Sequence, residues 1–181
     1  TWKPAGLIFI FSGTVKAIDP LGSAFKFQDY LLAFNLDFLQ PLSLPLAILL
    51  CSAEFFAGFS VLFNIRQKEG IWLLMILMAF FTPLTFVLAL TNPVTDCGCF
   101  GDFIKLDPKI SFFKDLFLMI PAIYFLFKNG EFHQLLTQKS RNLILLFSTF
   151  FLILYCIYNF YWDEPHVDFR PFRNGANIAA I

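Results

Sequence analysis

Charged side chains are scarce in this chain of 181 residues, at 14% of the total against about 25% in a typical soluble domain. The 13 basic and 13 acidic residues cancel, and no stretch concentrates the basic ones. A protein that binds nucleic acid needs a basic patch to meet the phosphate backbone. The composition therefore argues against nucleic acid as a partner.

Apolar residues are abundant instead, at 58% of the chain with 27 phenylalanines. A helix needs about 20 apolar residues to cross the hydrocarbon core of a bilayer. We therefore predict an all-α integral membrane protein whose main partner is the lipid bilayer. Five stretches are expected to span it: residues 5–18, 42–63, 71–91, 112–127 and 143–162.

Two of these spans are weaker than the others. The first is short and ends in Lys16, which either snorkels to the interface or pairs with an acidic residue. The fourth carries Lys114 and Asp115 in its first turn.

Basic residues predict the orientation. The two short loops that follow the second and fourth spans hold Arg66, Lys68, Lys128, Lys139 and Arg141. Short basic loops stay in the cytoplasm. We therefore expect a cytoplasmic N-terminus in a bacterial inner membrane, with the 92–111 loop and the tail 163–181 in the periplasm.

The segment between the first two spans, residues 19–41, is too long for a hairpin loop. It opens with Asp19-Pro20, a plausible helix start, and then places Phe27, Tyr30, Leu31 and Phe34 on one helical face. This pattern predicts either an interfacial helix on the outer bilayer surface or a helix packed on the bundle.

The periplasmic loop contains "TDCGCFGD", with Cys97 and Cys99 on either side of Gly98. Glycine gives the chain the freedom to bring two such thiols together, and a strained, exposed disulfide is typical of redox activity. A redox-active pair, a static disulfide, a metal site and a loop with no chemical role are the four alternatives. Metal binding ranks below the first two because zinc normally takes four ligands and only two thiols are local.

Glu54 is the second informative residue, because a carboxylate within a span is costly and usually functional. Its helical face holds small residues, Ala47, Cys51, Ala57 and Gly58, which allow close helix packing. We therefore expect Glu54 to face the bundle interior, either protonated or paired with Lys16 or Lys114.

Cys51 and Cys156 both fall in the outer halves of their spans, on the same side as the loop thiols. Cys51 could take part in a relay with the loop pair or lie beside a cofactor. Packing as a small apolar residue is the plainer interpretation.

Three motifs resemble the DoxX-like membrane proteins, and in particular the branch related to MauE, the methylamine-utilisation protein. They are the helix end Ser12-Gly13-x-x-Lys16 with Asp19-Pro20, the helix Glu54-x-x-x-Gly58, and the loop Cys97-Gly98-Cys99-Phe100-Gly101. The tail "DFRPFRNGANI" is similar to a stretch in Bacteroidetes members of this group.

The resemblance implies a four-helix bundle over residues 1–127, followed by a cytoplasmic loop and fifth helix (128–162) and an extracytoplasmic tail (163–181). It also implies one of three roles: thiol or disulfide handling, quinone-linked sulfur oxidation, or maturation of a disulfide-containing periplasmic dehydrogenase. Cys97, Cys99 and Glu54 would then be catalytic, and Lys16 and Cys51 would bind the cofactor. The alternative is a non-catalytic subunit or assembly factor that binds other membrane or periplasmic proteins, with the CGC loop as a structural disulfide.

Overall fold

A computed structural model describes residues 3–91, 97–104, 106–127 and 138–161 of the chain. Six α-helices account for nearly all of this part, with one 3-10 helix and one short strand. They are α1 Lys3–Ile18, α2 Pro20–Ala33, α3 Ser43–Leu62, α4 Gln67–Thr91, α5 Pro108–Phe127 and α6 Gln138–Tyr161, with the 3-10 helix at Asp37–Leu42 and β1 at Cys99–Asp102.

The protein is an all-α integral membrane protein. Three of its described helical segments are long and apolar enough to cross a bilayer: Asp37–Leu62, Gln67–Thr91 and Lys139–Tyr161. They correspond to the second, third and fifth predicted spans. Helices α1 and α2 meet the same criterion only as a bent pair, and the predicted span 112–127 lies in α5 and stays a prediction.

A sharp elbow of 98° separates α1 from α2. Asp19 makes this elbow, because its carboxylate accepts a hydrogen bond from the Gly22 backbone N–H at 2.8 Å and Pro20 begins the new helix. The free carbonyls at the end of α1 are covered by Asn159 of α6, whose amide donates to Ala17 and Ile18. The predicted helix start at Asp19-Pro20 is confirmed, while its place at the bilayer surface stays a prediction.

Helix α3 occupies the centre of the bundle and packs against α1, α2, α4 and α6. Its crossing with α1 is very close, because a Cβ at Gly58 would lie 2.7 Å from the Gly6 carbonyl oxygen and from the Ile10 nitrogen. Small residues allow such backbone contact. The close crossing holds the last turn of α1, with Lys16, against the middle of α3, with Glu54.

The division of the chain at residues 127 and 162 and the bundle arrangement implied by the resemblance stay predictions. The tail 163–181 and most of the predicted cytoplasmic loop, residues 128–137, lie outside the described residues.

Candidate functional site

A buried ion pair joins α1 to α3. Lys16 Nζ lies 2.7 Å from Glu54 Oε1 and 2.8 Å from Oε2, and the two residues are only 3% and 4% exposed. Lys16 therefore does not snorkel to an interface. Of the two partners considered for Glu54, Lys16 holds it, while Lys114 pairs with Asp115 at 3.1 Å.

Ser12 connects this ion pair to the CGC loop. Its Oγ lies 2.7 Å from Glu54 Oε2 and 2.8 Å from the carbonyl oxygen of Cys99, and it accepts a hydrogen bond from Lys16 Nζ at 3.0 Å. A serine hydroxyl has one hydrogen, so it donates either to the carboxylate or to the loop at any moment. Lys16, Glu54, Ser12 and Cys99 thus form one connected polar cluster.

The CGC loop brings its two thiols into contact. Cys97 Sγ and Cys99 Sγ lie 2.8 Å apart, and both cysteines are free thiols. Gly98 and Gly101 have φ angles of +60° and +59°, and the Gly101 N–H donates to the Gly98 carbonyl at 3.0 Å. Both glycines thus adopt a left-handed backbone conformation, which glycine was expected to allow here.

The two thiols differ in their acidity. The hydrogen bond from Cys97 lowers the pKa of Cys99 to about 7, and the positive charges of Lys114 and Lys16 act in the same direction against burial. The pKa of Cys97 is raised, because this thiol hydrogen-bonds to Cys99 and is buried. Cys99 is therefore the sulfur that ionises first, and a thiolate is the nucleophile in thiol–disulfide exchange.

Helix α2 holds the loop from the other side. The Tyr30 hydroxyl donates a hydrogen bond to the Cys97 carbonyl oxygen. A Cβ at Gly98 would lie 3.1 Å from Lys26 Cγ and 3.2 Å from Tyr30 Oη. The sequence assigned Tyr30 only to an apolar helical stripe, so this role was missed.

Ser12 was also missed as a site residue, although a signal for it exists. It stands four residues before Lys16, and this spacing places both side chains on one face of a helix.

Two cavities adjoin the cluster. The smaller, of about 30 Å³, is lined by Ser12, Glu54, Cys99 and the Lys114–Asp115 pair, with apolar side chains around them. The larger, of about 340 Å³, has walls from α2, α3 and α4 that are almost entirely apolar. Lys16 and Cys97 lie at its lining, so it shares one border with the polar cluster.

Cys51 occupies a different environment. It packs with Ala17, Leu152 and Cys156 in a buried apolar group, and its thiol donates to the Ile48 carbonyl at 3.1 Å. It lines neither of these two cavities, and its predicted part in cofactor binding stays a prediction. No group of three or more His, Cys, Asp or Glu side chains suited to a metal ion occurs within the described ranges.

Comparison with known proteins places these features in a family. Neither the curated proteins nor the solved structures compared with this chain gave a match. Residues 4–128 match the family model of methylamine utilisation protein MauE, a stretch that includes Ser12, Lys16, Glu54 and the CGC loop. Because this match covers more than half of the chain, the protein belongs to the MauE family.

Proposed function

We propose that this protein is a membrane thiol oxidoreductase. In this proposal Cys97 and Cys99 take electrons from extracytoplasmic protein thiols and pass them to a quinone. The observation that carries it is the pair of free thiols whose sulfurs lie 2.8 Å apart.

The electron balance requires two steps. A substrate dithiol first reduces the Cys97–Cys99 disulfide by exchange through a mixed disulfide, which leaves a substrate disulfide and two thiols in the loop. The loop then forms its S–S bond again, and its two electrons and two protons reduce the quinone to a hydroquinone.

The Lys16–Glu54–Ser12 cluster holds the loop in position and accepts protons from it. Ser12 reaches both the carboxylate and the Cys99 carbonyl, so the loop is tied directly to the buried charges. Glu54 is a proton acceptor within reach of this serine, and the Lys16 charge favours the Cys99 thiolate.

We place the CGC loop on the periplasmic side of an inner membrane. The basic residues Arg66, Lys68 and Arg141 lie on the opposite side of the predicted topology. Disulfides form and persist in the periplasm, so the thiol chemistry and the orientation support each other.

A single-turnover assay on the full chain in detergent tests this function. The protein is reduced, freed of reductant and mixed with a fully substituted benzoquinone, which cannot alkylate thiols. Free thiols are then trapped and counted by mass spectrometry. We expect wild type to lose both loop thiols and to reduce one quinone per chain, and Cys97→Ser or Cys99→Ser to reduce none.

Cys156→Ala is the matched control, because it removes a buried thiol outside the site and should react as wild type does. Loop thiols that survive both the quinone and a small aromatic disulfide would refute the redox function. If such a protein also purified with a stoichiometric membrane partner, the assembly-factor alternative would take its place.

A further inference from the structure

The larger cavity, which we call the acceptor cavity, lies between α2 on one side and α3 and α4 on the other. Its volume of about 340 Å³ falls within the usual range for small-molecule sites, roughly 300 to 1,000 Å³. Its walls include Phe34 at the end of α2, Leu50 of α3 and Leu84 of α4. The cavity is therefore large enough for a substituted aromatic ring.

One end of the acceptor cavity differs from the rest. Lys16, Lys26 and Cys97 line it there, together with Gly98. These residues, with Ser23 and Tyr30, line the same space that phenylalanines and leucines otherwise enclose. A ligand with an apolar body and a polar, electron-accepting head matches this distribution.

The cavity beside Glu54 cannot hold such a ligand. Its volume of about 30 Å³ has room for about two water molecules and not for a ring. It reaches Cys99 and Ser12, but Cys97 is part of the acceptor cavity instead. The two cysteines thus line two different compartments, one suited to water and protons and one suited to a lipophilic molecule.

The acceptor cavity also borders the outer, apolar surface of the bundle. Phe80 and Leu46 line it and are 61% and 36% exposed on helices that are long and apolar enough to span a bilayer. A ligand dissolved in the bilayer can therefore reach it sideways, without passing through water.

We infer that the acceptor cavity binds the head group of a lipophilic quinone and that Cys97 is the sulfur facing it. This inference rests on the proposed function and adds the place of electron transfer to it. Cys97 and Cys99 lose two S–H bonds and form one S–S bond. The two electrons and two protons convert the quinone to its hydroquinone.

A lipid acyl chain is the competing occupant, but it would leave the polar end unused. A hydrocarbon makes no polar contact with Ser23, Lys16 or Lys26 in the lining, whereas a quinone carries two carbonyl oxygens that accept hydrogen bonds. The contact of Gly98 with Lys26 and Tyr30 also places the thiol loop directly at this end.

Photolabelling tests the location without requiring any redox chemistry. The full chain with Cys97→Ala and Cys99→Ala is irradiated in nanodiscs with an azido-benzoquinone, and the labelled peptides are identified. We expect labels on α2, on the Leu46–Leu50 stretch of α3 and near Leu84 of α4, and loss of labelling with excess unlabelled quinone. Labels spread over the lipid-facing surface, or insensitive to competition, would overturn the inference.

Filling the cavity gives a kinetic test. Leu50→Trp and Leu84→Trp place an indole in the acceptor cavity from two different helices, α3 and α4. Leu49→Trp adds the same group at a side chain that is 68% exposed and does not line the cavity. We expect the first two variants to slow oxidation of the loop thiols by the quinone at least tenfold. Their oxidation by a small water-soluble disulfide should stay within twofold of wild type, as should both reactions of Leu49→Trp.

The outcomes separate the two proposals. If quinone oxidises the thiols equally fast in all three tryptophan variants, the cavity is not the acceptor site, although the thiol function stands. If neither the quinone nor the disulfide oxidises the wild-type thiols, the proposed function itself fails.

Discussion

The Lys16–Glu54 ion pair holds two charges inside the helical bundle, where neither could remain alone. Both side chains are almost fully buried, and Ser12 occupies a further hydrogen-bonding position on the carboxylate. Removing one partner of a buried pair leaves an uncompensated charge, which is far more costly than losing a pair at the surface.

Glu54→Gln should therefore destabilise the protein by about 3 to 5 kcal/mol. Glu69→Gln is the matched control: Glu69 pairs with Arg66 at 2.7 Å, but the side chains are 53% and 39% exposed, so its loss should cost about 0 to 1 kcal/mol. Unfolding by denaturant in detergent micelles measures both. Equal losses would contradict the buried ion pair.

The acidity of Cys99 gives a pH-dependent prediction. Its pKa of about 7 means that the reactive thiolate dominates above pH 7 and is lost as the pH falls below it. The alkylation rate of Cys99 should therefore rise with pH to a midpoint near 7, well below the value of about 8.5 for an ordinary cysteine.

Cys97→Ala removes the hydrogen bond that lowers the pKa of Cys99 most, and so should move this midpoint upward. Peptide mass spectrometry after timed alkylation gives the rates. A midpoint near 8.5 in both proteins would show that Cys97 does not stabilise the Cys99 thiolate.

Single residues were partly predictable from sequence. Glu54 stood out because a carboxylate within an apolar span is costly and usually has a function. The two loop thiols stood out because only one residue separates them. The partner of Glu54 could not be chosen between Lys16 and Lys114, because that choice depends on which helix crosses α3 closely. Ser12 lay within a recognised motif, but its contact with the Cys99 carbonyl depends on a fold that brings residues 87 positions apart together.

Among the elements, the elbow between α1 and α2 determines how the site is enclosed. It turns α2 towards the CGC loop, so that Tyr30 and Lys26 of α2 contact this loop. Gly98 lies where loop and helix meet, and its position leaves little room for a side chain.

Gly98→Ala should weaken this contact between loop and helix. Alanine at φ +60° carries a backbone cost of about 1 to 2 kcal/mol, and its Cβ would also meet Lys26 and Tyr30 at 3.1 and 3.2 Å. Gly101→Ala has a similar φ but more room, with its nearest neighbour, Ser23 Oγ, at 3.4 Å. Gly98→Ala should therefore slow loop disulfide formation more than Gly101→Ala does, as measured by thiol trapping after addition of a mild oxidant.

The start of α2 was predictable because Asp-Pro is a local signal for a helix N-terminus. The part of the protein that packs against α2 was not predictable. A helical apolar stripe shows that one face of the helix will be buried, but it does not show what buries it. Phe27 and Tyr30 of that stripe line the acceptor cavity.

At the scale of the whole molecule, apolar run length was sufficient to predict the membrane class and most of the helices. The acceptor cavity was beyond such reasoning, because its walls come from three helices and a loop that are separate in sequence. The fourth predicted span has the weakest apolar pattern, because it contains the charges of Lys114 and Asp115, and these two residues belong to the site itself.

The redox state of the Cys97–Cys99 pair in native membranes tests the central claim most directly. Membranes are equilibrated over a series of thiol–disulfide buffers, free thiols are alkylated, and the loop peptide is analysed by mass spectrometry. The proposed function predicts one cooperative two-electron transition of both cysteines together, at a potential within the range of the buffers. A pair that stays fully oxidised or fully reduced at every potential would contradict it.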